Sequence, residues 1–188
     1  MFLYVLLSLT VVLGFYLAWT IGANDFANSM GDAVGSGALS IRNAVILGAV
    51  CEFAGSVLVG AHVTDTVRKG IVDPAMFAAT PELLVLGMIS ALLACAIWVH
   101  MATLWGMPVS TTHSIVGAVA GFGILAMGWS SVEWGTMGEI ALSWVISPVA
   151  GCVLAFCIFK LINWFILGRD KPVKAAERFA PFFVFYVV

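Results

Sequence analysis

The sequence predicts an all-α fold, a polytopic transmembrane helical bundle. Three observations carry this. Of the 188 residues, 62% are hydrophobic and 10% charged, and the mean hydropathy is +1.10. A soluble domain carries about 25% charged residues, so this chain lacks the polar side chains to cover a globule in water, and the lipid bilayer is its solvent. The apolar residues fall in runs near the roughly 20 residues that cross a hydrocarbon core as a helix. They show helical periodicity and turn punctuation rather than the ten-residue alternation of a membrane barrel. A net charge of −2 is too small to suggest an acidic partner, and no nucleic-acid partner is expected.

In chain order, the first run covers residues 2–21 and has no charged side chain. It lacks a basic leading segment and exceeds the apolar length of a signal peptide, about 7–15 residues. Runs 41–63 and 83–105 follow, interrupted by Glu52 and His100. Run 113–128 is shorter and glycine-rich, with Gly117 and Gly121 spaced for close helix packing. Run 140–167 is long, with Lys160 and Asn163 toward its end, and residues 179–188 read as the start of a sixth span. Residues 1–188 thus form a single transmembrane domain of about five spans plus that beginning. The connections are expected at 22–40, 62–81, 129–137 and 168–178, the last a solvated loop with Arg169, Lys171, Lys174 and Arg178. Those residues and Arg42 follow odd-numbered spans, whereas Arg68 and Lys69 follow an even one. The basic excess places the N-terminus outside a cell membrane, plasma or inner. Cys51, Cys95, Cys152 and Cys157 sit in apolar runs without C-x-x-C spacing and read as buried structural thiols.

Polar chemistry is concentrated in two places. The first is Gly22-Ala23-Asn24-Asp25-Phe26-Ala27-Asn28-Ser29-Met30-Gly31-Asp32, directly after the uncharged run. If helical, it aligns Asp25, Asn28, Ser29 and Asp32 on one face with Asn24 beside it. If unwound at Gly22 and Gly31, it frees carbonyls as ligands. Either form is oxygen-rich and suits a hard cation such as sodium. The plain alternative is an interfacial loop with a capping Asn-Asp pair, but the nearest basic residue in sequence is Arg42. Glu52, near the middle of the second run, costs about 2.5–3.5 kcal/mol at a helix centre on insertion scales. It is therefore expected to face the protein interior, protonated or partnered, whether as a site residue or as a structural acid between helices. Glu139 is expected at the interface.

The second cluster is Pro108-Val109-Ser110-Thr111-Thr112-His113. Proline followed by Ser and Thr marks a helix start. Such a start presents free N–H groups, a positive dipole end and three hydroxyls, which make an anion site without a formal positive charge. Plain helix capping is the alternative. His113 reads as a donor, a proton site or a packing residue; His62 and His100 offer less. Ser110 and His113 have no nearby acid to orient a catalytic histidine, so the chain does not read as an enzyme. Asp25 and Asp32 would repel an anion held nearby unless a cation sat between. The two clusters are therefore expected to meet and to bind both ions with reciprocal coupling, as in cation-driven anion symport.

Residues 22–29, Gly-Ala-Asn-Asp-Phe-Ala-Asn-Ser, resemble the G-A-N-D-x-A-N signature of the inorganic phosphate transporter family, PiT or PHO-4. Glu52-Phe53-Ala54-Gly55 and the stretch 60–71 are similar to that family's next segment. Pro108 to His113, with Val116-Gly117 after it, match its P-x-S-T-T-H element. The matches keep family order over roughly residues 20 to 125. The resemblance implies a sodium- or proton-coupled importer of inorganic phosphate, built from two homologous halves of opposite topology, with no cofactor beyond the co-transported ion. It implies that Asn24 and Asp25 hold the cation, sodium where sodium is the coupling ion. Ser110, Thr111, Thr112 and Asn28 would contact phosphate, and Glu52, Asp32 and His113 would support the site. Because each motif occurs once, the chain looks like the N-terminal half of such an inverted-repeat secondary transporter, partnered by a second homologous half or a homo-oligomer. A sulfate or other oxyanion permease, and a non-transporting membrane subunit, are the competing readings.

Overall fold

The computed structural model describes the backbone of residues 1–187 and the side chains outside Phe2, 61–69 and 180–188. The described residues are helical, apart from turns and one isolated β-bridge between Val72 and Val132. They form two compact units, residues 1–137 and 138–188.

In the first unit, α1 spans Phe2–Gly35, α2 Ile41–Lys69, α3 Pro81–Leu104 and α4 Thr111–Met127. The connection expected at 22–40 is corrected: α1 runs on through the first polar cluster, and only residues 36–40 turn, around Gly37 at φ +76°. Gly22 and Gly31 permit a break but do not compel one. Between them Ala23, Ala27 and Met30 favour helix, and no proline interrupts the ladder. Ser40 caps α2, accepting from the Asn43 amide at 3.3 Å. Asp73 caps a short 3₁₀ turn, Pro74–Phe77, accepting from the Ala75 amide at 2.9 Å.

α3 is the centre of this unit, packed by α1 and α4. It buries Gly87, Ile89, Ala91, Cys95, Ala96, Val99 and Ala102, and α4 buries Val116, Val119, Ala120 and Gly123. Small residues let helix backbones approach where lipid removes any hydrophobic incentive to associate. The ring of Phe122 occupies the space a Cβ at Gly87 would need, and it stacks on buried Phe77 at 5.5 Å between centroids. α2 touches α1 where Gly48 admits Phe26; a Cβ there would stand 2.5 Å from the ring.

α5 (Trp134–Ile162) begins within the first unit and makes up much of the second, continuing past Pro148 into a π-helical turn, Asn163–Leu167, and α6 spans Pro172–Val187. The solvated loop expected at 168–178 is corrected as well, because α6 starts at Pro172 and takes in Lys174 and Arg178. Proline at the first helical position explains the start. The sixth apolar run continues α6; its side chains from 180 onward lie outside the described residues. Phe165 and Phe179 pack at 5.5 Å.

Among the described residues four helices are long and apolar enough to cross a membrane: Leu3–Gly35, Ile41–Gly60, Pro81–Leu104 and Trp134–Leu167. α4, at 17 residues, is shorter. Of the cysteines only Cys95 is buried; Cys51, Cys152 and Cys157 are exposed, which corrects the expectation of four buried thiols. Apolar residues need no burial when lipid is the solvent.

Candidate functional site

The site begins where α3 stops. Gly106 at φ +66° closes the helix: its amide donates to Thr103 O at 3.0 Å and the Met107 amide to Ala102 O at 2.8 Å, a glycine-based C-cap. Pro108 prevents the helix from resuming. Ser110, extended at φ −81° and ψ 118°, caps α4 by accepting from the His113 amide at 3.3 Å. The first turn of α4 therefore stands one short link, 107–109, from the end of α3.

α1 passes alongside this break, and the two polar clusters meet there. Thr111 Oγ1 donates to Asp25 Oδ2 at 3.0 Å. Asn24, 5% exposed, donates to Thr103 Oγ1 and to Met107 O, both at 3.1 Å. Its Oδ1 accepts from the Val109 amide at 3.2 Å and from Asn28 Nδ2 at 3.3 Å. A cleft of about 110 Å³ lies beside it, lined by Ala27, Asn28, Met107 and Pro108 among others. The larger groove between α3 and α4, about 620 Å³, offers mainly apolar wall and only Ser90 as a polar side chain. Convergent polar groups mark a ligand site, and they lie at the α1–α4 junction.

Asp25 and Thr111 are half-buried, while Asn28, Ser110, Thr112 and His113 are exposed around them. Asp32, also exposed, lies two turns further along α1, near its end. Glu52 departs from expectation. It sits on an exposed stretch of α2 and has no hydrogen-bond or ion-pair partner among the described residues, because little of α2 packs against the rest of this unit. Among the described residues no group of three or more His, Cys, Asp or Glu converges as a metal site. The oxygens at the junction come from one acid, amides, hydroxyls and carbonyls.

Sequence reasoning missed Thr103, the Met107 carbonyl and the Val109 amide. It also undervalued His100, whose Nδ1 is 2.7 Å from the Tyr16 hydroxyl, with Trp19 edge-on to the imidazole at 5.4 Å. A signal existed: Tyr16, Thr20, Asn24 and Asn28 recur every four residues, a polar stripe on an apolar helix. Tyr16 and Asn24 of that stripe meet α3.

A bundle of apolar helices, four of them long enough among the described residues to cross a membrane, defines a polytopic membrane protein, and in it an acid on one helix meets the hydroxylated N-terminus of another beside a helix break. More specifically, the chain belongs to the phosphate transporter family, whose family model matches residues 21–188. The family consists of transporters rather than enzymes. A Pyrococcus furiosus relative, whose name classes it with phosphate permeases, is 46% identical over 95% of this chain and 43% of its own length. An Arabidopsis thaliana relative, inorganic phosphate transporter 2-1, chloroplastic, is 47% identical over 94% of this chain and 30% of its own. A solved structure described as the sodium-dependent phosphate transporter superposes with a TM-score of 0.85 at 45% identity, over 92% of this chain and 42% of that one. The chain spans less than half the length of these relatives.

Proposed function

We propose that the chain is one half of a cation-coupled symporter of inorganic phosphate, working by alternating access around the α1–α4 junction. The single observation that supports the reading is the Asp25–Thr111 hydrogen bond, which joins an acid on an apolar, span-length helix to the hydroxylated start of α4. Asp25 would provide the charged oxygen for sodium or a proton. Ser110, Thr111, Thr112 and Asn28 would address phosphate, with the Thr111 and Thr112 amides at the start of α4 as further donors. Asp32, Glu52 and His113 would support the site, Glu52 where a second half covers α2. The sodium-dependent structural neighbour favours sodium as the coupling ion.

Coupling can be read at one atom. A hydroxyl has one proton to donate, and that of Thr111 is committed to Asp25. A cation drawn to the Asp25 carboxylate competes for that oxygen and releases the Thr111 proton toward a phosphate oxygen. The arriving cation thus creates a donor for the anion while cancelling the carboxylate's repulsion.

The remainder of the assembly would be a second homologous half or a second copy, and the N-terminus would lie outside the cell membrane. The test is uptake of labelled phosphate by cells expressing the full reading frame. Asp25→Asn is expected to abolish cation-dependent uptake while the protein still inserts at wild-type level; uptake that persists in this variant removes Asp25 from the mechanism.

A further inference from the structure

We infer that Asn24 is a positioning residue rather than a ligand of the cation: it clips the link before α4 onto α1 and α3, and so sets where Thr111 stands relative to Asp25. This rests on the transport reading above for its consequence, but not for its geometry.

The geometry is that of a saturated amide. An asparagine side chain has two N–H donors and two carbonyl lone pairs. In Asn24 all four are used, toward Thr103 Oγ1, Met107 O, Val109 N and Asn28 Nδ2, at 3.1 to 3.3 Å. The orientation is not a matter of choice. Met107 O can only accept and Val109 N can only donate, so a flipped amide would face carbonyl with carbonyl and N–H with N–H. No lone pair remains on Oδ1 for a metal ion in this conformation. The Thr103 hydroxyl is also placed, donating to Val99 O at 2.8 Å while accepting from Asn24.

The partners explain the purpose. Pro108 has no N–H, so the link 107–109 cannot join a helix ladder, and its flanking polar groups need partners from elsewhere in the protein. Asn24 satisfies one on each side of the proline. The next residue on α1 is Asp25, and two residues beyond Val109 is Thr111. One side chain therefore fixes the register between the acid and the hydroxyl that it accepts from. Aspartate at 24 would lose both donors and set an oxygen against Met107 O. A leucine would fill the space and bond to nothing.

The test joins a transport-independent reading to kinetics in the full-length protein. Amide hydrogen exchange over residues 105–112 should speed up at least tenfold in Asn24→Ala, and by a smaller factor in Thr103→Val, which removes one of the four bonds. Per folded transporter, both variants should raise the KM for phosphate, with Asn24→Ala severalfold or more. The sodium concentration for half-maximal activation should stay within about twofold of wild type. Effects in the double variant should be less than the product of the singles. Unchanged exchange in Asn24→Ala overturns the clip whatever transport does. Faster exchange with only the sodium half-saturation displaced makes Asn24 a ligand and also overturns it. Loss of folded protein with no change in KM reduces it to a structural residue, and Thr103→Val, which spares the other three bonds, then decides by the same KM measurement. Failure of Asp25→Asn to affect uptake would instead fault the transport reading, leaving the exchange experiment to judge the clip alone.

Discussion

Replacing Thr111 by valine isolates the bond on which the proposed coupling depends. Valine keeps the shape of threonine and its β-branching and removes only the hydroxyl. Asp25 Oδ2 then loses a donor at 3.0 Å, and in the cation-bound state of the proposed mechanism phosphate loses the same donor. A hydrogen bond to a charged group contributes about 1.5–3 kcal/mol. Both groups are half-buried, so water replaces part of the loss and the lower end of the range applies. At 1.4 kcal/mol per factor of ten, the expected effect is about a tenfold fall in kcat/KM for phosphate. The assay is the initial rate of labelled phosphate uptake over a phosphate series, at low and at saturating sodium, normalised to protein in the membrane. Thr111→Ser retains the donor and should recover most of the loss. If the Thr111 proton is handed from Asp25 to phosphate, the valine variant should also respond less steeply to sodium. Uptake within twofold of wild type at both sodium levels would refute the reasoning.

Two further expectations concern packing and the orientation read from the charge bias of the sequence. Gly87→Ala forces the Phe122 ring off its stack on Phe77, and overpacking of this kind costs about 1–3 kcal/mol; Gly14→Ala, where a Cβ meets nothing within 4 Å, should cost nothing comparable. Thermal unfolding in detergent checks both, and equal midpoints would contradict the packing. An epitope at the N-terminus should be accessible to antibody on intact cells, and labelling only after permeabilisation would reverse the orientation taken from Arg169, Lys171, Lys174 and Arg178.

The helices were legible because lipid imposes a simple rule, roughly 20 apolar residues per crossing, and the described residues obey it at four places. The start of α4 was legible because Pro108 and Ser110 act locally: one ends the preceding structure and the other caps the next. The end of α1 was not. Whether Gly22 and Gly31 break a helix depends on what packs beside them, and here α3 holds Asn24 in helical register through Thr103. The main-chain partners at Met107 and Val109 were invisible for a different reason: every residue has a carbonyl and nearly every residue an amide, so only the fold says which of them a side chain will meet. Glu52 illustrates the reverse limit. Its position predicts a protein-facing acid, but the surface that would cover it is not supplied by the described residues.

The absence of lysine and arginine from both motifs bears on how such a site can release its cargo. An arginine would bind phosphate by charge-assisted, bidentate hydrogen bonds whether or not a cation were present, and the gradient of the cation would then do little work on the anion. Here the formal charge at the junction is that of Asp25, and its sign is the wrong one for phosphate. Two negative charges about 5 Å apart repel by about 3 kcal/mol at an effective dielectric of about 20, a factor of more than one hundred in anion affinity. A cation on the carboxylate removes that penalty, and because linkage is reciprocal, phosphate raises the affinity for the cation by the same factor. Neutral donors would make this possible: in the proposed mechanism the hydroxyls and amides at the start of α4 orient an anion without holding it once the cation has left. On this view a lysine placed at Thr112, which is exposed beside the junction, should tighten phosphate binding, flatten its sodium dependence and slow turnover together. Tighter binding with the sodium dependence intact would show that the missing positive charge is not what couples the two ions.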